Sequence, residues 1–127
     1  MAAPAVTDRD DRMPRWQRVY LVALSAVTSG ALTYALCDWG HWTRLHFGPY
    51  DGAWFWQAGP TASIPINYFG TILWGLGGAA VGALLALVGI AAWRRPVPRS
   101  FRQLGTAWSL TACLLTGTYY LWHLWPF

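Results

Sequence analysis

Three histidines and two aspartates are the side chains with the clearest means to do chemistry. Asp38, His41, His46 and Asp51 fall in one stretch, and His123 stands near the C-terminus. Imidazole is the common protein ligand of zinc, copper and haem iron, and a neighbouring carboxylate can complete such a site or act as a general acid or base. Asp38, His41 and Asp51 are therefore candidate catalytic residues, and His41, His46 and His123 candidate metal ligands. Against a metal site, His41 and His46 are five positions apart and diverge on a helix, and no HxxxH or CxxC spacing joins them. The competing reading makes them interfacial anchors flanked by tryptophan. Nucleophilic catalysis has less support, because Ser109 and Cys113 have no histidine one turn away. No phosphate loop, paired carboxylates or dinucleotide fingerprint occurs.

Those residues must be positioned by something, and the positioning elements show where charge is missing. The chain has 127 residues, 55% hydrophobic and 17% aromatic with only 11% charged, which is far from a soluble globular balance. Val19 to Cys37, Ile66 to Trp93 and Leu104 to Leu124 are each free of charge, and each approaches or exceeds the roughly 20 residues that cross a hydrocarbon core. The expected fold is an all-α integral membrane protein with three transmembrane helices at about 19–37, 66–93 and 104–124. A tail at 1–18, an aromatic outer loop at 38–65 and a cytoplasmic loop at 94–103 complete it. The outer loop is expected to carry a short interfacial helix around Trp39 to Phe47. Pro65, Asn67 and Tyr68 suit a helix entry at the headgroups. A cleaved signal peptide is disfavoured, since the first run is long and lacks a small-x-small cleavage site.

Charge placement sets the orientation. Arg9, Arg12, Arg15, Arg18, Arg94, Arg95, Arg99 and Arg102 fall in the tail and the second connection, and only Arg44 falls in the first. The positive-inside rule then puts the N-terminus in the cytoplasm and the C-terminus outside a cell (inner or plasma) membrane, crossed in several passes. Arginine blocks beside apolar runs explain the net charge of +4 without nucleic acid, and the block at 94–102 suits anionic lipid headgroups. Cys37 and Cys113 lie at different depths, so two free thiols are expected.

Small residues recur along the second span at Gly75, Ala79, Gly82, Ala86 and Gly89, with Gly78 and Gly82 forming a GxxxG pair. The first span repeats the pattern at Ala23, Ala26, Gly30, Thr33 and Cys37. Lipid supplies no hydrophobic drive between helices, so close van der Waals contact at such stripes holds them together. The third span carries a polar line, Thr106, Ser109, Cys113, Thr116, Tyr120 and His123, on one face. Hydroxyls of this kind mostly bond their own helix or a neighbour, and no ionisable Asp, Glu, Lys or Arg sits inside a span to drive a proton path.

One segment carries a family resemblance. Trp54-x-Trp56, then Gly59, then Ile64-Pro65-x-Asn67-x-x-Gly70 resembles a segment of the carotenoid-biosynthesis membrane family that includes the bisanhydrobacterioruberin hydratases. The likeness covers positions 54 to 70 of the 127. It implies an apolar isoprenoid ligand near Trp54, Trp56, Pro65 and Asn67, which makes Trp54, Trp56 and Asn67 candidate cofactor-binding residues. Members of that family are longer, so a complete hydratase is not implied.

The function these features lead to is a small accessory or structural subunit of a larger membrane protein complex, packing through its Gly/Ala faces. Its partners would be membrane lipid and larger membrane subunits. The alternatives are an enzyme or carrier acting on an isoprenoid or other lipid at the outer interface, and a haem- or pigment-binding electron-transfer subunit. Because every histidine falls on the outer side, function beyond packing is expected there.

Overall fold

Pro14 opens the first helix. Its backbone is extended, with φ −63° and ψ 150°, and its carbonyl accepts from the amides of Gln17 and Arg18 at 3.1 and 3.3 Å. In the computed structural model, which describes residues 12–58, 68–93 and 95–124 (backbone alone at 68, 123 and 124), helix α1 then runs Arg15–Trp39. It starts and ends beyond the uncharged run, because arginine is a good helix former and the backbone continues past the last apolar residue. The amide of Gly40 bonds the Leu36 carbonyl at 2.8 Å, and His41 turns the chain out of the helix at φ 49°, in the left-handed region.

A hairpin follows where an interfacial helix was expected. Strands β1 (Arg44–Gly48) and β2 (Ala53–Gln57) pair antiparallel, with Arg44 opposite Gln57, His46 opposite Phe55 and Gly48 opposite Ala53. The turn is Pro49-Tyr50-Asp51-Gly52, closed by the Gly52 amide on the Gly48 carbonyl at 2.9 Å, with Gly52 at φ 61°. Asp-Gly between alternating apolar residues is a strong hairpin signal, and glycine takes the left-handed backbone without steric cost. The fold is therefore mostly helical with a two-stranded sheet, rather than all-α.

Helices α2 (Tyr68–Ala92) and α3 (Arg99–Leu124) complete the described chain. Pro98 starts α3, its carbonyl accepting from the Arg102 amide at 3.2 Å, so the helix begins inside the basic connection expected at 94–103. Residues 1–11 of the expected tail and the region of Pro65 and Asn67 lie outside the described residues.

Helix α1 is central. It packs on α2 along one side and α3 along another, while no Cα of α2 lies within 8 Å of α3 among the described residues. Ser25 and Ser29 meet Gly82, and Tyr34 meets Gly75, so α2 is antiparallel to α1. Tyr20 meets Thr106 and Tyr34 meets Tyr120, so α3 is parallel to it. Two segments, Arg15–Trp39 and Phe69–Ala92, are long and apolar enough to cross a membrane; α3, with arginine, glutamine and tyrosine in its sequence, is not among them.

Polarity is distributed inside out. The most buried side chains include Gln17, Arg44, His46, Thr71 and Ser109, whereas Val88 and Leu114 stand 67% and 69% exposed amid many exposed leucines. Burial in water would favour the opposite arrangement.

Candidate functional site

Two places on this scaffold have the structure of a site, one at each end of α1. At the end beside the hairpin, Asp38 closes α1 and holds two other elements. Its Oδ1 accepts from Arg44 Nη1 at 2.6 Å, and its Oδ2 accepts from the Tyr119 hydroxyl of α3 at 3.3 Å. The Arg44 side chain is only 5% exposed and that of Asp38 29%, so this is a largely desolvated charge-assisted bond. Strand β1 reaches this position because Gly70 of α2 has no side chain. A Cβ there would stand 2.7 Å from Arg44 Cβ and from the Leu45 amide nitrogen. Trp74 of α2 adds an indole N–H donated to the Thr43 carbonyl at 2.9 Å, and Trp42 packs edge-on against it at 5.1 Å.

His46 lies on the same inward side of β1, 1% exposed. Its Nε2 is 3.2 Å from the Gln57 carbonyl oxygen, which can only accept, so Nε2 is the donor in that contact. The ring stacks on Phe55 at 5.6 Å. Arg44 Nε and His46 Nδ1 are buried and have no hydrogen-bond partner among the described residues. Next to this cluster, Tyr120 of α3 packs on Tyr34 at 4.7 Å and is hydrogen-bonded to the Tyr34 and Thr71 side chains, tying the three helices at this end.

At the other end the helices part. A groove of about 750 Å³ opens between α1, α2 and α3, with Leu24, Leu32, Ile90, Trp93, Phe101 and Trp108 among its walls. That volume falls in the range of about 300–1,000 Å³ typical of small-molecule sites. The hydroxyls that reach its wall are already engaged: Thr28 donates to the Leu24 carbonyl at 2.7 Å, and Ser25 to the Gly82 carbonyl at 2.8 Å. Ser29 has the carbonyls of Ser25 at 2.7 Å and Gly78 at 2.9 Å within reach of its single hydrogen. The groove therefore offers an apolar surface.

The residues singled out from sequence fall in different settings. Asp38 is engaged in the ion pair, His41 is exposed at the helix end, and Asp51 is exposed in the hairpin turn. His46 is enclosed by the sheet, the side chain of His123 lies outside the described residues, and among the described residues no three His, Cys, Asp or Glu side chains gather to hold a metal. Trp54 and Trp56 are exposed on β2, where Trp54 contacts Phe47 at 5.0 Å and Phe69 at 5.6 Å; Asn67 lies outside the described residues. Cys37 and Cys113 are free thiols.

Of the packing stripe, Gly30, Gly75, Gly78, Ala79 and Gly82 lie in the α1–α2 contact. Ala26 is half-buried, and Ala86 lines the groove. Gly89 also lines the groove, and a Cβ there would meet nothing within 4 Å, so it takes no part in helix packing: the helices have already separated at that level. The opposing face of α1 keeps Gly30 and Thr33 of the expected stripe and adds Ser25, Ser29 and Tyr34, while Ala23 is exposed. The four-residue spacing of Ser25, Ser29 and Thr33 is the sequence signal for that face. Arg44 and Tyr119 were not distinguishable beforehand, because their importance comes from meeting Asp38 in space. In comparisons with known proteins, no family model, no curated protein and no solved structure matches this chain.

Proposed function

We propose that this chain is a three-span membrane protein serving as a small accessory subunit of a larger membrane complex, with its N-terminus cytoplasmic and its C-terminus outside. The observation that carries the reading is the reversal of polarity: leucine and valine face outward along α2 and α3 while hydroxyl, guanidinium and imidazole groups are enclosed. In lipid the outward residues meet a solvent like themselves, and helices associate through small residues and hydroxyls. The third span is supported by α3 lying alongside α1 from the Tyr20 level to the Asp38 level, so a bilayer crossed by one would be crossed by the other. Described arginines Arg12, Arg15, Arg18, Arg95, Arg99 and Arg102 collect at the end opposite Asp38 and Arg44.

A subunit role is favoured over catalysis because both Asp38 oxygens are engaged within the fold, leaving broad apolar faces and the exposed rings of Tyr50, Trp54 and Trp56 as the surfaces available to other proteins. Purification in mild detergent with mass spectrometry tests this: larger membrane proteins should accompany the chain in fixed stoichiometry. Isolation as a lone monomer would overturn it. Reporter fusions test the topology, with alkaline phosphatase active only at the C-terminus. A lipid or isoprenoid carrier is the second reading, favoured by the apolar groove, which lies at the arginine end rather than the outer interface.

A further inference from the structure

The groove has the chemistry of one particular occupant. Along α1 its wall runs from Leu21 to Leu32, about 17 Å at ~1.5 Å per residue, close to one leaflet of a hydrocarbon core about 30 Å thick. Its hydroxyls are spent on backbone carbonyls and the rest of its wall is aliphatic and aromatic, so the wall recognises hydrocarbon. Val97 and Pro98 line its arginine-side end, and in the chain they are flanked by Arg95 and Arg99. Both arginines are exposed and neither has an ion pair among the described residues, and Asp38 and Asp51 belong to the opposite end. An apolar trough one leaflet long, ending where the exposed Arg95 and Arg99 flank its lining residues in the sequence, is complementary to a chain that carries a negative head.

We propose that this groove is a binding site for an anionic phospholipid of the arginine-side leaflet, its acyl chain between α1, α2 and α3 and its phosphate at Arg95 and Arg99. The site rests on the membrane placement proposed above, and it adds a specific ligand to that placement. Ordinary boundary lipid exchanges without regard to headgroup; this site selects for charge, because guanidinium groups hold phosphate oxygens by paired hydrogen bonds.

The test is native mass spectrometry on the delipidated full chain in mild detergent, titrated with phosphatidylglycerol and phosphatidylcholine of matched acyl chains. One phosphatidylglycerol should be retained per chain in preference to phosphatidylcholine. Arg95→Gln and Arg99→Gln should each weaken that retention by on the order of five-fold. Gly89→Phe, placed where a side chain meets no neighbour, should fill the groove and reduce retention of both lipids. Gly117→Phe, equally open but away from the groove, should leave retention unchanged. Equal retention of the two lipids, or a phosphatidylglycerol preference that survives both arginine substitutions, overturns the proposal. A chain that stays in solution without detergent would instead overturn the membrane placement.

Discussion

Helix α1 meets its two neighbours in different ways. Toward α2 the contact runs through small residues: a side chain built on Gly30 would press on the Gly75 carbonyl and Ala79, ones built on Gly78 or Gly82 would collide with Thr33 or Ser29, and the Ser25 hydroxyl reaches the Gly82 carbonyl. Toward α3 the contact is made by side chains at separate levels. Tyr20 reaches Thr106 and the Arg102 carbonyl, Thr116 donates to the Ala31 carbonyl at 3.2 Å, and Asp38 receives Tyr119. The first kind of seam brings the helices close from the Tyr34 level to the Ser25 level and ends before Gly89. The second holds two helices apart like struts, and the groove is the space between struts on the side where α2 has also departed. One central helix thus supplies both a rigid pair and an open site.

The difference can be broken most severely at Asp38, where the hairpin and α3 are both tied to α1. Asp38→Asn should destabilise the fold by about 3–5 kcal/mol, because it leaves the Arg44 guanidinium buried without a counter-charge. Equilibrium unfolding in mixed micelles measures it, and a loss under about 1 kcal/mol would show that the pair is solvated rather than enclosed. Next comes the glycine seam. Gly82→Leu should cost about 1–3 kcal/mol by overpacking against Ser29 and the Ser25 carbonyl, whereas Gly77→Leu on the open side of α2 should change stability little. Equal effects at the two positions would mean that α2 does not use this face. The strut seam should be gentler: Thr116→Val should cost on the order of 0.6 kcal/mol, the typical worth of one hydrogen bond between membrane helices. If Thr116→Val matched Gly82→Leu, the contrast between seams would fail.

Much of the helical framework is legible from local features. Uncharged runs of spanning length, Pro14 and Pro98 at helix starts, and the glycine repeat of α2 each act within a few residues of themselves. The hairpin was legible too, in Asp51-Gly52 and the alternation around it, but the density of aromatic rings between Trp39 and Phe55 suggested an amphipathic helix instead. Asp51, a candidate acid by residue type, is a turn residue by position. His46, a candidate ligand by type, is enclosed by a strand whose inward side also holds Arg44.

What the chain alone determined is where helices form and which end gathers positive charge, because hydrophobic length and arginine placement are properties of contiguous residues. The asymmetry between the two seams, the joining of Asp38 with Arg44 and Tyr119, and the groove at the arginine end were decided only in three dimensions. Each depends on residues from separate elements arriving at one point, and no local pattern encodes how far α2 and α3 diverge from the helix they share.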